Sequence, residues 1–379
     1  MTKKPAVKKY ILAMDIKTMS PLHITAIEKG SYNVDTRKIL RYDGPGIGCS
    51  LTRTVSIASA TRTGTNGQLY TPLVPTIPAS TIAGKLRRAA ANILFESLIA
   101  RDLVLSADAY NVMTSGMATT SLAADNATPE TSRVARQDPF LGLFGGTTFM
   151  LSSNCIIGEG WPLLRITKDF LMSEPIEAVQ DFENLDEMTG AIPIIRKNDV
   201  SDMSGSNLSA VVGFQNLSDY IAAEGLKRST SKAAKKDGVD AGKTDLRTFN
   251  AVEAVHTGIG FGLRIEVTSR SPAHLGLMLL AAQAVLQDGQ FGGKGARGFG
   301  QVTCSASRLY ELDPSRRQQT VVSNLFEGKN SGYDFCNDPV VQEAVMSAQD
   351  YADAVNPLLF EAFASGNAAV IKKLYAEVV

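Results

Sequence analysis

Oxyanion chemistry is written most densely in residues 291–302, Phe-Gly-Gly-Lys-Gly-Ala-Arg-Gly-Phe-Gly-Gln-Val, where five glycines fall in the nine positions from Gly292 to Gly300. Glycine takes positive φ freely and lets another chain approach its backbone, at a cost in conformational entropy. Runs of bare N–H groups with Lys294 and Arg297 between them suit a phosphate. Phe299 is placed either to stack on a base or to anchor the loop in the core. Gly293, Gly295 and Gly298 also spell G-x-G-x-x-G, the dinucleotide fingerprint, but that fingerprint follows a strand and opens a helix. Here residues 273–286 read as a helix, the glycines come after it, and residues 301–304 read as a strand. The order is reversed, which leaves a clamp for a nucleic-acid backbone or a structural Gly-rich turn.

A second stretch offers related chemistry. Residues 77–90, I-P-A-S-T-I-A-G-K-L-R-R-A-A, supply the hydroxyls of Ser80 and Thr81 as an N-cap and then a helix-favouring run. Ile82, Leu86, Ala89 and Ile93 fall on one face at helical spacing, and Lys85, Arg88 and Asn92 recur along another. Free N–H groups, hydroxyls and a basic row together make a phosphate site. Gly84-Lys85 is not a Walker A motif, because Leu86 stands where a magnesium-holding Ser or Thr is needed. The competing reading is an ordinary cap with a solvated basic stripe.

Other chemistry is thinly represented. The three histidines share no metal-ligand spacing and the four cysteines, Cys49, Cys155, Cys304 and Cys336, form no C-x-x-C, so neither a metal nor another cofactor is expected. Inert thiols fit a reducing cytoplasm, the expected location. No basic-apolar signal pattern and no window of 18 apolar residues is visible, so no membrane span is expected.

The elements that must position these residues are those of a chain able to bury a large core: 379 residues, 44% apolar, mean hydropathy −0.01. Net charge is zero, but residues 311–379 hold five basic and ten acidic residues, a net of −5, leaving +5 on residues 1–310. Residues 8–19 read as a first strand, closed by Ser20-Pro21-Leu22-His23-Ile24. Turn-rich residues 25–74 carry Arg37, Lys38, Arg41 and Arg53, with short strands expected at 51–57 and 68–73 as a long hairpin. Residues 105–136 read as a helical insertion anchored by Tyr110 and Met113. Residues 192–197 and 210–214 read as paired arms of a hairpin within 181–247. Residues 225–247, with seven basic residues and almost nothing apolar, are expected to be mobile, either ordering on a polyanion or forming a loop with no role. Past Pro314 the chain is expected to leave the core, with one or two helices over 339–363 interrupted at Pro357.

Taken together, the helix start and the loop resemble the RAMP superfamily of CRISPR-associated RNA-binding proteins. Asp138-Pro139-Phe140-Leu141-Gly142-Leu143-Phe144-Gly145-Gly146, Phe249-Asn250-Ala251-Val252-Glu253-Ala254-Val255-His256-Thr257-Gly258 and Ser20-Pro21-Leu22-His23-Ile24-Thr25 extend the resemblance over residues 10–305. Chain length, S-P-L-H-I-T and G-L-F-G-G point within it to the large backbone subunit of type IV effectors. The resemblance implies an α+β protein with a ferredoxin-like (RRM-like) core over residues 1–310, a helical insertion at about 105–136, a β-hairpin thumb at about 181–247, and a C-terminal helical extension over 311–379. It implies copies polymerised head to tail on a guide RNA (crRNA), which pairs with target DNA or RNA, beside other effector subunits and without a membrane partner. Carried over onto this sequence, Ser80, Lys85, Arg87, Arg88, His256, Gly293, Lys294, Gly295, Arg297, Gly298 and Phe299 are the expected RNA-binding residues. Relatives that cleave target RNA use an aspartate after the first strand, where this chain has Asp35 and Asp43. Guide-processing relatives offer a His23–His256 acid–base pair as an alternative, but two histidines so far apart in sequence are read instead as core or RNA-contacting residues. Both aspartates sit among turn residues, where aspartate serves local hydrogen bonding, and the type IV resemblance implies no cleavage, so a non-enzymatic scaffold is expected.

Overall fold

Strand β1 (Lys8–Thr18) alternates between two faces. Tyr10, Leu12, Met14 and Ile16 enter the main core, while Ile11 and Ala13 join a smaller cluster on the opposite side. The computed structural model describes residues 7–33, 35–42, 44, 46–63, 67–117, 129–146, 151–182, 185–197, 247–327 and 332–376. It divides the chain into two units, one of residues 1–25, 52–190 and 254–379, the other of residues 26–51 and 191–253. After β1 come β2 (Thr25–Asn33), β3 (Lys38–Leu40), β4 (Ile47–Thr52), β5 (Thr54–Ser56), β6 (Arg62–Thr63), β7 (Leu69–Tyr70) and β8 (Leu73–Pro75). Helices α1 (Ala79–Ala100), α2 (Ala107–Ser115), α3 (Pro129–Ala135) and α4 (Pro139–Phe144) follow, then β9 (Cys155–Ile157), β10 (Trp161–Pro162) and α5 (Leu185–Met188). The remainder runs β11 (Thr189–Lys197), β12 (Arg247–Val255), β13 (Gly260–Ser269), α6 (Pro272–Asp288), β14 (Val302–Leu312), β15 (Gln318–Val322), α7 (Pro339–Asp353), α8 (Pro357–Ala364) and α9 (Ala368–Ala376).

The first unit is built on an antiparallel sheet in which β1 lies between β13 and β14, with β9 and β10 beyond β13 and β15 beyond β14. Numbered along the chain as β1, the β9/β10 edge, β13 and β14, these strands stand in the order 4-1-3-2. α1 leads from the first to the second, α6 from the third to the fourth, and both pack with the even-numbered side chains of β1. α7 lies on α6 at closest range beside Gly276, where a Cβ would stand 1.8 Å from the Ala344 carbonyl oxygen. Only a residue without a side chain permits that approach. Across the sheet, residues 171–177 cover the odd-numbered face. Arg264 Nη1 bonds Asp15 Oδ1 at 2.8 Å, Nε bonds Ser173 Oγ at 2.6 Å, and Asp15 Oδ2 accepts from the Ile176 and Glu177 amides at 2.7 and 2.9 Å. Both charges are buried, so each of these bonds offsets a large desolvation cost.

The second unit is a mixed five-stranded sheet in the order β11-β12-β4-β2-β3, with β12 parallel to β4. Its small core is Tyr32, Cys49, Leu51 and Ala251, and Arg41 Nη1 grips the buried Glu253 carboxylate at 2.6 and 2.9 Å.

The α+β class follows directly from these elements. β5 pairs β8 and β6 pairs β7, giving the long hairpin expected between residues 51 and 73. Two expectations need correction, and a third reaches beyond the described residues. The chain does not leave the core past Pro314: β15 adds an edge strand because Gln318–Val322 pairs back on β14. Residues 192–197 lie in β11, which pairs with β12, whereas the other expected thumb arm, 210–214, falls outside the described residues. In the 105–136 insertion Met113 is buried as an anchor, but Tyr110 is half exposed and stacks on Phe95 at 5.2 Å. Among the described residues no helix is long and apolar enough to cross a membrane.

Candidate nucleic-acid interface

α1 starts at Ala79 with Pro78 in the N-cap position and no side-chain cap. The expected hydroxyl cap is therefore not made. Pro78 sets the extended entry, and its carbonyl accepts from the Thr81 and Ile82 amides at 2.9 and 3.2 Å. Ser80 and Thr81 fall inside the first turn, where the leading amides of a helix have no intrahelical partner. Ile82, Leu86, Ala90, Ala91, Leu94 and Leu98 are buried, which turns Ser80, Gly84 and Arg88 outward on one line.

The Gly-rich stretch is a loop between α6 and β14, closed by Phe291 N–H to the Gly300 carbonyl at 2.8 Å. It is fastened to residues 19–23: Gly293 N–H donates to His23 O at 2.9 Å and Gly300 N–H to Pro21 O at 2.8 Å. Gly292, with φ +75°, cannot carry a side chain, because a Cβ would stand 2.3 Å from the His23 carbonyl oxygen. Lys294 adopts φ +67° and leads a 3₁₀ turn over Gly295–Arg297, closed by Gly298 at φ +76°. Lys294 and Arg297 are exposed and make no side-chain hydrogen bond or ion pair with the described residues.

Helix start and loop meet in an open cleft of about 470 Å³ in the first unit. Ser80, Thr81, Gly84, Lys85 and Arg88 form one wall, Gly292 and Gly293 another, and Arg53 with Ile24 and Thr25 closes it. Lys85 Nζ lies 2.8 Å from Asp288 Oδ2 and 5.5 Å from the centre of the buried Phe291 ring. Arg53 Nη2 bonds Glu159 Oε1 at 2.6 Å, and its buried Nε has no partner. Arg88 is exposed and makes no hydrogen bond or ion pair among the described residues. Hydroxyls, glycine backbone and three cations around one concavity can hold an oxyanion. Arg53 and Asp288 are the members that sequence reasoning missed: Arg53 was visible only as part of a basic region, and Asp288 only as the end of a helix.

The remaining expected residues are not in this cleft. Arg87 points inward: its guanidinium donates to the carbonyls of Val112 and Gly145 at 3.1 Å and of Phe144, and lies 5.6 Å from the Phe144 ring centre. Burial lowers its pKa to about 10, so it stays charged at neutral pH. This corrects the expectation of a contact in the first cleft, since both Nη atoms already donate to internal carbonyls. Phe299 is 7% exposed and anchors the loop, which removes base stacking as its role. His256 is exposed beside Gly190, its N–H bonded to Met188 O at 2.8 Å, whereas His23 is fully buried with Nε2 3.2 Å from Thr25 Oγ1. Asp35 is exposed after β2 and its N–H bonds Asn33 Oδ1 at 3.0 Å; Asp43 lies outside the described residues. Among the described residues no group of three or more His, Cys, Asp or Glu could hold a metal.

No family model matches the chain, and no curated protein matches it. A solved chain described as "Type IV-B CRISPR Complex" is similar at 14% identity, over 82% of this chain and 93% of its own, with a TM-score of 0.38, a likeness too slight to carry an argument about fold or function.

Proposed function

We propose that this chain is a non-enzymatic, guide-RNA-binding backbone subunit of a type IV CRISPR effector, with a ferredoxin-like RAMP core. The observation that carries the reading is the convergence of the Ser80–Arg88 helix start and the Gly292–Gly293 loop on one cleft, through partners as distant as Lys85 and Asp288, 203 residues apart. The strand order 4-1-3-2 with two helices on one face supports the core assignment. Backbone contacts position a strand without reading it, so sequence choice falls to base pairing. Repetition of one heterologous contact between copies gives an open helix along the RNA.

Two guides of equal length and unrelated spacer should bind alike at fixed salt, with affinity falling steeply as salt rises. A difference beyond about tenfold, ~1.4 kcal/mol, contradicts backbone recognition. Labelled target RNA incubated with the assembled complex and magnesium or manganese should stay intact. Regularly spaced products lost on Asp35→Ala or Asp43→Ala would move the protein to the cleaving class.

A further inference from the structure

A second cleft, of about 580 Å³, lies on the other side of the first turns of α1 within the same unit. It shares Ser80, Gly84 and Arg88 with the first. Those residues are spaced i, i+4, i+8 and form one ridge. A Cβ on Gly84 would meet the Arg88 guanidinium at 3.3 Å, so the missing side chain leaves the place where that guanidinium folds back over the helix. Arg88 is therefore the cation common to both clefts.

The walls differ in chemistry. The first cleft offers cations, hydroxyls and glycine backbone. The second offers Ala79, Ala83 and Ile157, with Thr114 and Ser115 also in its lining. The Thr114 and Ser115 hydroxyls donate to their own helix, at Tyr110 O and Asn111 O; Ser115 Oγ also accepts from Met117 N–H at 3.3 Å, and each hydroxyl keeps a lone pair for an incoming donor. Arg87 lines this cleft too, but its Nη atoms are engaged with carbonyls. Such a wall suits a base or sugar better than a phosphate.

We propose that a single nucleic-acid strand crosses α1 at Gly84, with a phosphate in the first cleft, a nucleoside in the second, and Arg88 bridging them. This rests on the phosphate reading of the first cleft. It differs from that reading in requiring a nucleoside subsite, which an isolated phosphate or a bare polyanion would leave empty.

The test uses the full-length protein and a labelled 30-nucleotide single-stranded RNA of mixed sequence, titrated by fluorescence anisotropy over a salt series. Ala83→Leu fills the second cleft without changing charge and keeps a good helix former; Ser115→Glu places an anion in its lining. Ala83→Leu should weaken binding about five- to tenfold, a lost base contact, with the salt slope unchanged. Arg88→Ala should weaken binding and flatten the slope by about 0.7. RNA containing 4-thiouridine should cross-link to peptides holding Ile157 or Ser115. Wild-type affinity in both cleft variants, with no such cross-link, while Arg88→Ala and Lys294→Ala still lose RNA, overturns the nucleoside subsite and leaves the phosphate site standing. Salt-insensitive binding, unaffected by Arg88→Ala and Lys294→Ala, sinks the phosphate reading and this proposal with it. Should Ala83→Leu fail to fold by circular dichroism, Ser115→Glu and the cross-links decide.

Discussion

Arg87 and Arg88 are adjacent in sequence, identical in chemistry and opposite in placement, so replacing each with alanine separates fold from function. Removing the Arg87 side chain strips a charged donor from the carbonyls of Phe144 and Gly145 and a second donor from Val112, which keeps the Gly116 N–H at 3.0 Å. An acceptor left unsatisfied costs about 1–3 kcal/mol, and a desolvated cation–π contact about 2 kcal/mol. With partial relaxation, Arg87→Ala should cost about 3–5 kcal/mol, a large share of the roughly 5–15 kcal/mol typical of a domain. Arg87→Lys should not restore it, since one ammonium cannot reach the same set of carbonyls. Arg88→Ala, exposed and without a partner among the described residues, should stay within about 0.5 kcal/mol of wild type. The sole tryptophan, Trp161, lies 5.0 Å from the Phe170 ring and reports unfolding in a urea titration. RNA retention should show the reverse ranking at temperatures where both variants are folded: Arg88→Ala, common to both clefts, loses about tenfold, ~1.4 kcal/mol, and folded Arg87→Ala loses less, since it lines only the second cleft and its Nη atoms are held by carbonyls. An Arg87→Ala protein that unfolds at the wild-type urea concentration yet loses RNA would show its guanidinium facing the ligand, and the placement argument would fail.

Asp288→Asn should tighten RNA binding about two- to fivefold by freeing Lys85, an exposed pair being worth about 0.2–1 kcal/mol, with no gain in a Lys85→Ala background; weaker binding would mean that Asp288 positions the lysine. Gly292→Ala should destabilise the protein by about 2–4 kcal/mol in thermal melts and Gly298→Ala by only about 1 kcal/mol. Both have positive φ, but only the first meets a carbonyl oxygen; equal losses would refute the distinction. His274 is held neutral by burial, its pKa lowered from 6.5 to about 4. Below pH 6.5 the unfolded chain takes up a proton that the folded chain refuses, so on the order of 3 kcal/mol should be lost between pH 6.5 and 4, and His274→Gln should flatten that part of the urea-midpoint curve.

Much of the scaffold was legible because its signals are local. The apolar run before the glycines, the alternating first strand and the prolines at 339 and 357 mark α6, β1, α7 and α8 through periodicity and capping alone. Asp338 and Asn356 cap those last two helices, accepting from Val340 N–H and Leu358 N–H. The row Lys85, Arg88 and Asn92 was readable for the same reason. Arg87 carried a usable signal that charge obscured: Ala90 and Ala91, at i+3 and i+4, are both buried, so residue 87 belongs to the inward arc. The Asp15–Arg264 pair had no local signal, since its partners are 249 residues apart and meet only through the β1–β13 register. β15 was missed because five residues rich in Gln and Thr resemble a linker until an edge strand is available to pair with them.

A net charge of zero is reconciled with nucleic-acid binding by where the carboxylates sit. Arg53 and Lys85 carry Glu159 and Asp288 as partners, while Arg88, Lys294 and Arg297 make no ion pair among the described residues. The whole-chain total hides that excess of positive charge on the helix start and the Gly-rich loop, because acids elsewhere, including the ten beyond residue 310, cancel it in the sum. Screening over about 10 Å at 0.1 M salt weakens the pull of any acid farther off than that. It also limits the salt dependence. Three unpaired cations displace about 0.7 counterions each on a single strand, a slope near −2 per bound copy, whereas opening both ion pairs would bring it to about −3.5. The slope therefore reports whether Lys85 and Arg53 leave their carboxylates when a strand enters. Exposure of 57% at Asp288 against 24% at Glu159 makes the Lys85 pair the first to open.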